Sequence, residues 1–133
     1  MQRLRLFGGI SLDGPQGPVG GRAAQRRRLA LLALVAAEHP RAISRDKLIG
    51  YLGPESDAER ARHLLRDSLY VLRGALGDDS LLSRTDEIRL DPARLSCDLW
   101  EFREAVARDD PEAAAARYAG PFLDGVFLDE APV

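Results

Sequence analysis

Five residues between positions 63 and 73 are of types suited to recognising a charged polymer through hydrogen bonds. His63, Arg66, Asp67, Tyr70 and Arg73 are separated by three, one, three and three positions. On a helix of 3.6 residues per turn that spacing gathers cations, a carboxylate acceptor and a phenolic hydroxyl on one side. Arginine and histidine can reach purine acceptors or phosphates, and a tyrosine can give its hydroxyl to a phosphate, so such a face suits a major groove.

The helix that must carry this face runs from Asp57 to Gly77. Its residues Ala61, Leu65, Leu69, Leu72 and Leu76 recur at steps of four, four, three and four, which makes one apolar stripe for burial. Ser56 or Asp57 can cap the first free amides. Asp57 and Glu59 sit where the positive end of the macrodipole favours carboxylates, and Gly77 can close the helix in the left-handed conformation. A solvated surface helix with a mixed-charge outer face has the same pattern, so spacing alone leaves both readings open.

The flanking segments supply a setting. Leu4 and Leu6 alternate with Arg3 and Arg5, and after Gly8-Gly9 the run Ile10-Ser-Leu12 leads to an Asp13-Gly14-Pro15 turn, which predicts a β-hairpin. Residues 15–21 support a loop or a short edge strand. From Ala23 to His39 the period is helical through Leu29, Leu32, Ala33, Ala36 and Ala37, and Pro40 ends it. Arg26, Arg27 and Arg28 crowd the first turns against the dipole's preference; phosphate contact and plain solvation both account for them. His39, at the other end, reads as a cationic partner of the helix C-terminus.

Ala42-Ile43-Ser44 reads as a strand or connector. Ser44 then caps a helix containing Leu48, Ile49, Tyr51 and Leu52, which Gly53-Pro54 stops. After Gly77, the alternating runs 81–84 and 88–91 about Thr85-Asp86-Glu87 predict a second hairpin. Beyond Pro92 the pattern is helical only: Asp98 to Arg108 with Leu99, Phe102, Ala105 and Val106 on one side, then Pro111 to Tyr118. The expectation is an α+β fold. Residues 1–95 form a winged helix-turn-helix with an N-terminal β-sheet and a C-terminal wing hairpin, and residues 96–133 form a tetratricopeptide-like helix pair. Such a pair cannot cover its own apolar face, so the chain reads as ending early and the pair as docking on the winged helix through Trp100 and Phe102.

The 133 residues are 45% hydrophobic and 30% charged, which bounds the chain to one ordinary domain or a domain plus part of another. The longest apolar run, Leu29 to Ala37, has nine residues, too few to span a membrane. The N-terminus lacks a signal-peptide pattern, and Cys97 is the single cysteine, so the expectation is a cytoplasmic protein without metal or cofactor. The net charge of −2 divides into +4 over residues 1–95 and −6 over residues 96–133. A basic part joined to an acidic one fits a nucleic-acid module followed by a protein-contact module.

At this level the chain resembles a known family. Arg26-Arg-Arg-Leu-Ala-Leu-Leu-Ala-Leu34, Ser44-Arg-Asp-Lys-Leu48, Pro54-Glu-Ser-Asp-Ala-Glu-Arg-Ala-Arg-His63, Ser68-Leu-Tyr-Val-Leu-Arg73, Ala75-Leu-Gly77, Cys97-Asp-Leu-Trp-Glu-Phe102 and Tyr118-Ala-Gly-Pro-Phe-Leu-Asp-Gly125 are together similar to the SARP-type transcriptional regulators. In that family an OmpR/PhoB-like winged helix precedes a bacterial transcriptional activator domain of tetratricopeptide-like helices. The resemblance implies double-stranded DNA as partner, bound as a homodimer or as side-by-side protomers on direct repeats. It also implies RNA polymerase as a further partner. The third helix would enter the major groove with His63, Arg66, Asp67, Tyr70 and Arg73, and the wing would meet the minor groove with Arg84. Arg26 and Arg27 are added to the expected DNA-binding set on the phosphate contact that their crowding at the helix start admits.

Three positions depart from the family pattern. Val71 replaces a usual arginine or other polar residue, Asp86-Glu87 replaces a glycine-aromatic wing end, and Gly53 replaces the tryptophan of a Leu-Trp-Pro motif. An enzyme is not expected, because Gly8-Gly9 and Gly20-Gly21 are turn pairs rather than a phosphate loop and no nucleophile has a matching base. The competing expectation is a protein-interaction module whose winged helix has lost strong DNA binding.

Overall fold

The computed structural model describes residues 2–21, 25–52, 58–118 and 120–122. Ser56, Asp57 and Gly53, expected as caps and as a departure from pattern, lie outside the described residues, as do the residues after Phe122. Among the described residues, five helices and two small sheets follow in the order β1 (Gln2–Arg5), β2 (Ser11–Gly14), β3 (Gly17–Pro18), α1 (Arg26–Glu38), β4 (Ile43–Ser44), α2 (Arg45–Leu52), α3 (Ala58–Leu76), β5 (Leu81–Arg84), β6 (Glu87–Leu90), β7 (Leu95–Cys97), α4 (Asp98–Ala107) and α5 (Pro111–Arg117).

The N-terminal hairpin forms as its alternation requires: β1 pairs antiparallel with β2, placing Leu4 opposite Leu12, and β3 adds the short edge. The other edge of β1 is taken by β7, in parallel, with Leu4 opposite Cys97. Residues Leu95–Cys97 are too short to stand out as a strand in sequence, yet they bury Leu95 and Cys97 and close the sheet in the order β3-β2-β1-β7. A boundary drawn at 95/96 falls inside this strand.

The second sheet has the order β4-β6-β5. In the β5–β6 hairpin Arg84 stands opposite Glu87, with Thr85 in the left-handed conformation at φ 58 to complete a two-residue turn. The backbone amide of Arg45 donates to the carbonyl of Asp86 at 2.7 Å and the Arg45 guanidinium donates to Ser83 Oγ at 2.6 Å, which ties the hairpin to the start of α2. Ser44 Oγ accepts from the amide of Lys47 at 3.1 Å, the expected cap.

One core joins all of this. Leu4, Leu6, Leu31, Leu32, Leu48, Ile88 and Leu90 meet the α3 stripe of Leu65, Leu69, Leu72 and Leu76, all of them buried. The α4 helix docks onto the same core. Asp98, buried at its first position, accepts from the amides of Leu6 at 2.8 Å and Phe7 at 3.2 Å, satisfying donors where the chain leaves β1. Trp100 Nε1 donates to the carbonyl of Ala36 at 2.8 Å, and Phe102 packs against Phe7 with ring centroids 5.2 Å apart. Arg3 pairs with Glu101 at 2.9 Å; the hydrogen bond from Arg3 holds the Glu101 carboxyl below the usual range despite partial burial. Asp110 caps α5 by accepting from the amide of Ala113, and Pro111 takes its first position.

Candidate nucleic-acid interface

The face opposite the leucine stripe of α3 is the place to look for recognition chemistry. The helix begins with Glu59 in its first turn and ends with Arg73 in its last, both favourable to the dipole. Burying Leu65, Leu69 and Leu72 rotates His63, Arg66 and Tyr70 outward, and all three are exposed, Tyr70 to 75%. Of the five residues expected together, these three share an outer surface.

The other two are turned to internal work. Asp67 accepts from Arg28 Nη2 at 2.9 Å, and the Arg28 side chain is only 11% exposed. The third arginine of α1 therefore points inward while Arg26 and Arg27 are exposed. Desolvating a guanidinium is costly, so a carboxylate must meet it. Arg73 is half-buried and donates through Nε and Nη2 to the carbonyl of Leu81 at 3.3 and 3.2 Å, fastening the end of α3 to the hairpin. Arg84 is exposed near the hairpin tip, with Glu87 as its cross-strand neighbour. Spacing did not single out Arg62, exposed one helical turn before Arg66; the i, i+4 relation to Arg66 is the signal that could have found it.

Beside Tyr70 the surface sinks into a depression of about 500 Å³ lined by Arg66, Tyr70, Val71, Arg73, Gly74 and Asp78. Val71 is half-buried, packed against the core on one side and open to this depression on the other.

Two residues named from sequence have other roles than those expected of a reactive or dipole-stabilising group. His39 stacks on Trp100 with centroids 4.1 Å apart, and its Nδ1 is buried without a hydrogen-bond partner among the described residues. Burial pushes its pKa down, and Arg89 and Arg103 add repulsion, so the expected cation at the end of α1 is instead a neutral ring. The carbonyls of Ala36 and Ala37 are met by Trp100 and Arg103. Burial pushes the Cys97 thiol up to about 11, which leaves it un-ionised at neutral pH. Among the described residues no helix is long and apolar enough to cross a membrane.

Helices α2 and α3 with the β5–β6 hairpin behind them make a winged-helix-like fold. No family model and no curated protein matches the sequence. Among solved structures, Mycobacterium tuberculosis EmbR in complex with a low affinity phosphopeptide shares the fold, with a TM-score of 0.71 over 94% of this chain at 24% identity. The chain spans 38% of that EmbR chain.

Proposed function

We propose that the chain is the DNA-binding part of a SARP-type transcriptional regulator, with α3 in the major groove and the β5–β6 hairpin against the minor groove. The observation that carries this is the outward display of His63, Arg66 and Tyr70 from a helix whose opposite face is locked into the core. His63 and Arg66 meet base edges or phosphates and Tyr70 a phosphate, while Arg84 on the hairpin and Arg26 and Arg27 at the start of α1 add backbone contacts. Asp67 and Arg73 hold α3 in place. Residues 96–133 are read as the first helices of an activator domain. Two protomers stand on the site as a homodimer or on direct repeats, and RNA polymerase is the partner an activator must reach. The likeness of fold to EmbR and the sequence resemblance to SARP regulators support this reading.

A titration of a mixed-sequence duplex at two salt concentrations tests it. Affinity falls as salt rises, because arginine contacts release counterions. Absence of binding at the lower salt sinks the proposal and leaves the second reading, a protein-interaction module. That reading draws on the carboxylate of Glu87 opposite Arg84 and on the engagement of Asp67 and Arg73 within the chain.

A further inference from the structure

Gly74 is a glycine in the last turns of a helix with no internal reason to be one. It is exposed on α3, and a Cβ built on it would meet nothing within 4 Å among the described residues. Its φ is not in the left-handed region that calls for glycine, and alanine there would favour the helix by limiting the freedom of the unfolded chain. The position is one turn on from Tyr70 and two from Arg66, so 66, 70 and 74 form one row along the outer face. The row borders the depression that Val71, Arg73 and Asp78 complete.

We infer that Gly74 is the floor of a seat for the sugar–phosphate backbone of one DNA strand, an inference that rests on the DNA-binding reading above. The lining has the chemistry of that backbone. Tyr70, Val71 and the bare glycine offer an apolar surface to the C–H edge of a deoxyribose, Arg66 stands at the rim where a flanking phosphate falls, and Arg73, whose Nε and Nη2 brace α3 against Leu81, contributes only the field of its charge. Arg73 is held by Leu81, so its charge has a fixed place. Without a side chain at 74 the strand approaches the helix backbone closely, as glycine permits where another chain or ligand must come near. Asp78, also on the rim, is the one lining carboxylate and opposes a phosphate there.

The test compares Gly74→Ala with Gly50→Ala, a second exposed helical glycine whose added Cβ also meets nothing among the described residues. Both substitutions raise the melting temperature of the full chain. Only Gly74→Ala weakens binding of a mixed-sequence duplex, by about tenfold. Its salt dependence stays that of the unsubstituted chain, because no charge is lost. Asp78→Asn strengthens the same binding. If the unsubstituted chain binds with the expected salt dependence but Gly74→Ala binds equally well, this inference falls and the DNA-binding reading stands. If the unsubstituted chain does not bind, both fall. A loss shared equally by Gly50→Ala overturns the seat, since a general effect of helix stiffening would then explain it.

Discussion

The guanidinium of Arg28 lies 2.9 Å from the carboxylate of Asp67 and joins α1 to α3 across 39 positions of sequence. The arginine is nearly buried while the aspartate is half-exposed, so the pair anchors the outer helix from below. Removing the carboxylate leaves a buried cation without that partner. Asp67→Ala is expected to cost about 1–3 kcal/mol in a denaturant titration. A double-mutant cycle with Arg28→Ala should give a coupling of about 0.5–3 kcal/mol, and additive losses would show that the contact does not hold the helices together.

Arg66 faces away from that anchor. Arg66→Ala should weaken binding to a selected DNA site by about 1–3 kcal/mol if it reads a base. Its melting temperature should stay close to that of the parent, because an exposed arginine on the outer face contributes little to packing. A collapsed melting temperature with unchanged affinity would remove Arg66 from the interface.

Leu69 sits mid-stripe and is 2% exposed. Leu69→Ala should cost roughly 2–5 kcal/mol, the lost transfer energy plus a cavity in a core where α3 meets α1 and the sheets. That is a large share of a small domain's stability. A loss under about 1 kcal/mol would mean that the site tolerates the vacancy and that the core is looser than the burial indicates.

The α3 stripe was legible in sequence because five apolar residues at helical spacing leave little freedom of phase, and burying them fixes which residues face out. The Ser44 cap and the two hairpins were legible for similar local reasons. Long-range pairing was not. The β7 strand has three residues, and its partner β1 lies at the far end of the chain. Nothing local to Asp67 reveals that Arg28 will claim it, and nothing near Arg73 reveals Leu81. His39 looked like a helix-end cation because its partner Trp100 arrives from α4. The resemblance to SARP regulators named the helices that make the outer surface, but separating residues that display from residues that brace required the packing.

The His39–Trp100 stack gives a pH dependence with a definite sign. Burial lowers the folded-state pKa of His39 below its ordinary 6.5, so the unfolded chain binds the proton more readily. Stability is therefore fully present above about pH 6.5 and is lost as pH falls through the folded-state value. The neutral ring can leave Nδ1 bare, whereas protonation places a donor there with no acceptor among the described residues and adds a cation near Arg89 and Arg103. The melting temperature should drop between pH 7.5 and pH 5.5, which lie about one unit on either side of the ordinary histidine value. His39→Phe should flatten that part of the profile. An unchanged slope in the variant assigns the dependence to another group.

The C-terminal segment is expected to support the rest of the fold rather than merely adjoin it. Ending the chain after Leu95 removes two of the three β7 residues, the Asp98 carboxylate that accepts from Leu6 and Phe7, and Trp100 with its bond to Ala36. It also removes the buried side chains of Cys97, Leu99 and Ala105. The amides of Leu6 and Phe7 then lose their acceptor, and one edge of β1 loses its parallel partner. Each lost acceptor to a buried donor costs about 1–3 kcal/mol, and the uncovered Phe7 and Leu4 add exposed apolar surface to that. The truncated chain should melt well below the full one and show a tendency to associate, read by thermal denaturation and by sizing at two concentrations. If it melts at the same temperature and stays monomeric, α4 and α5 are an independent unit, and Asp98 and Trp100 only touch the winged-helix part without supporting it.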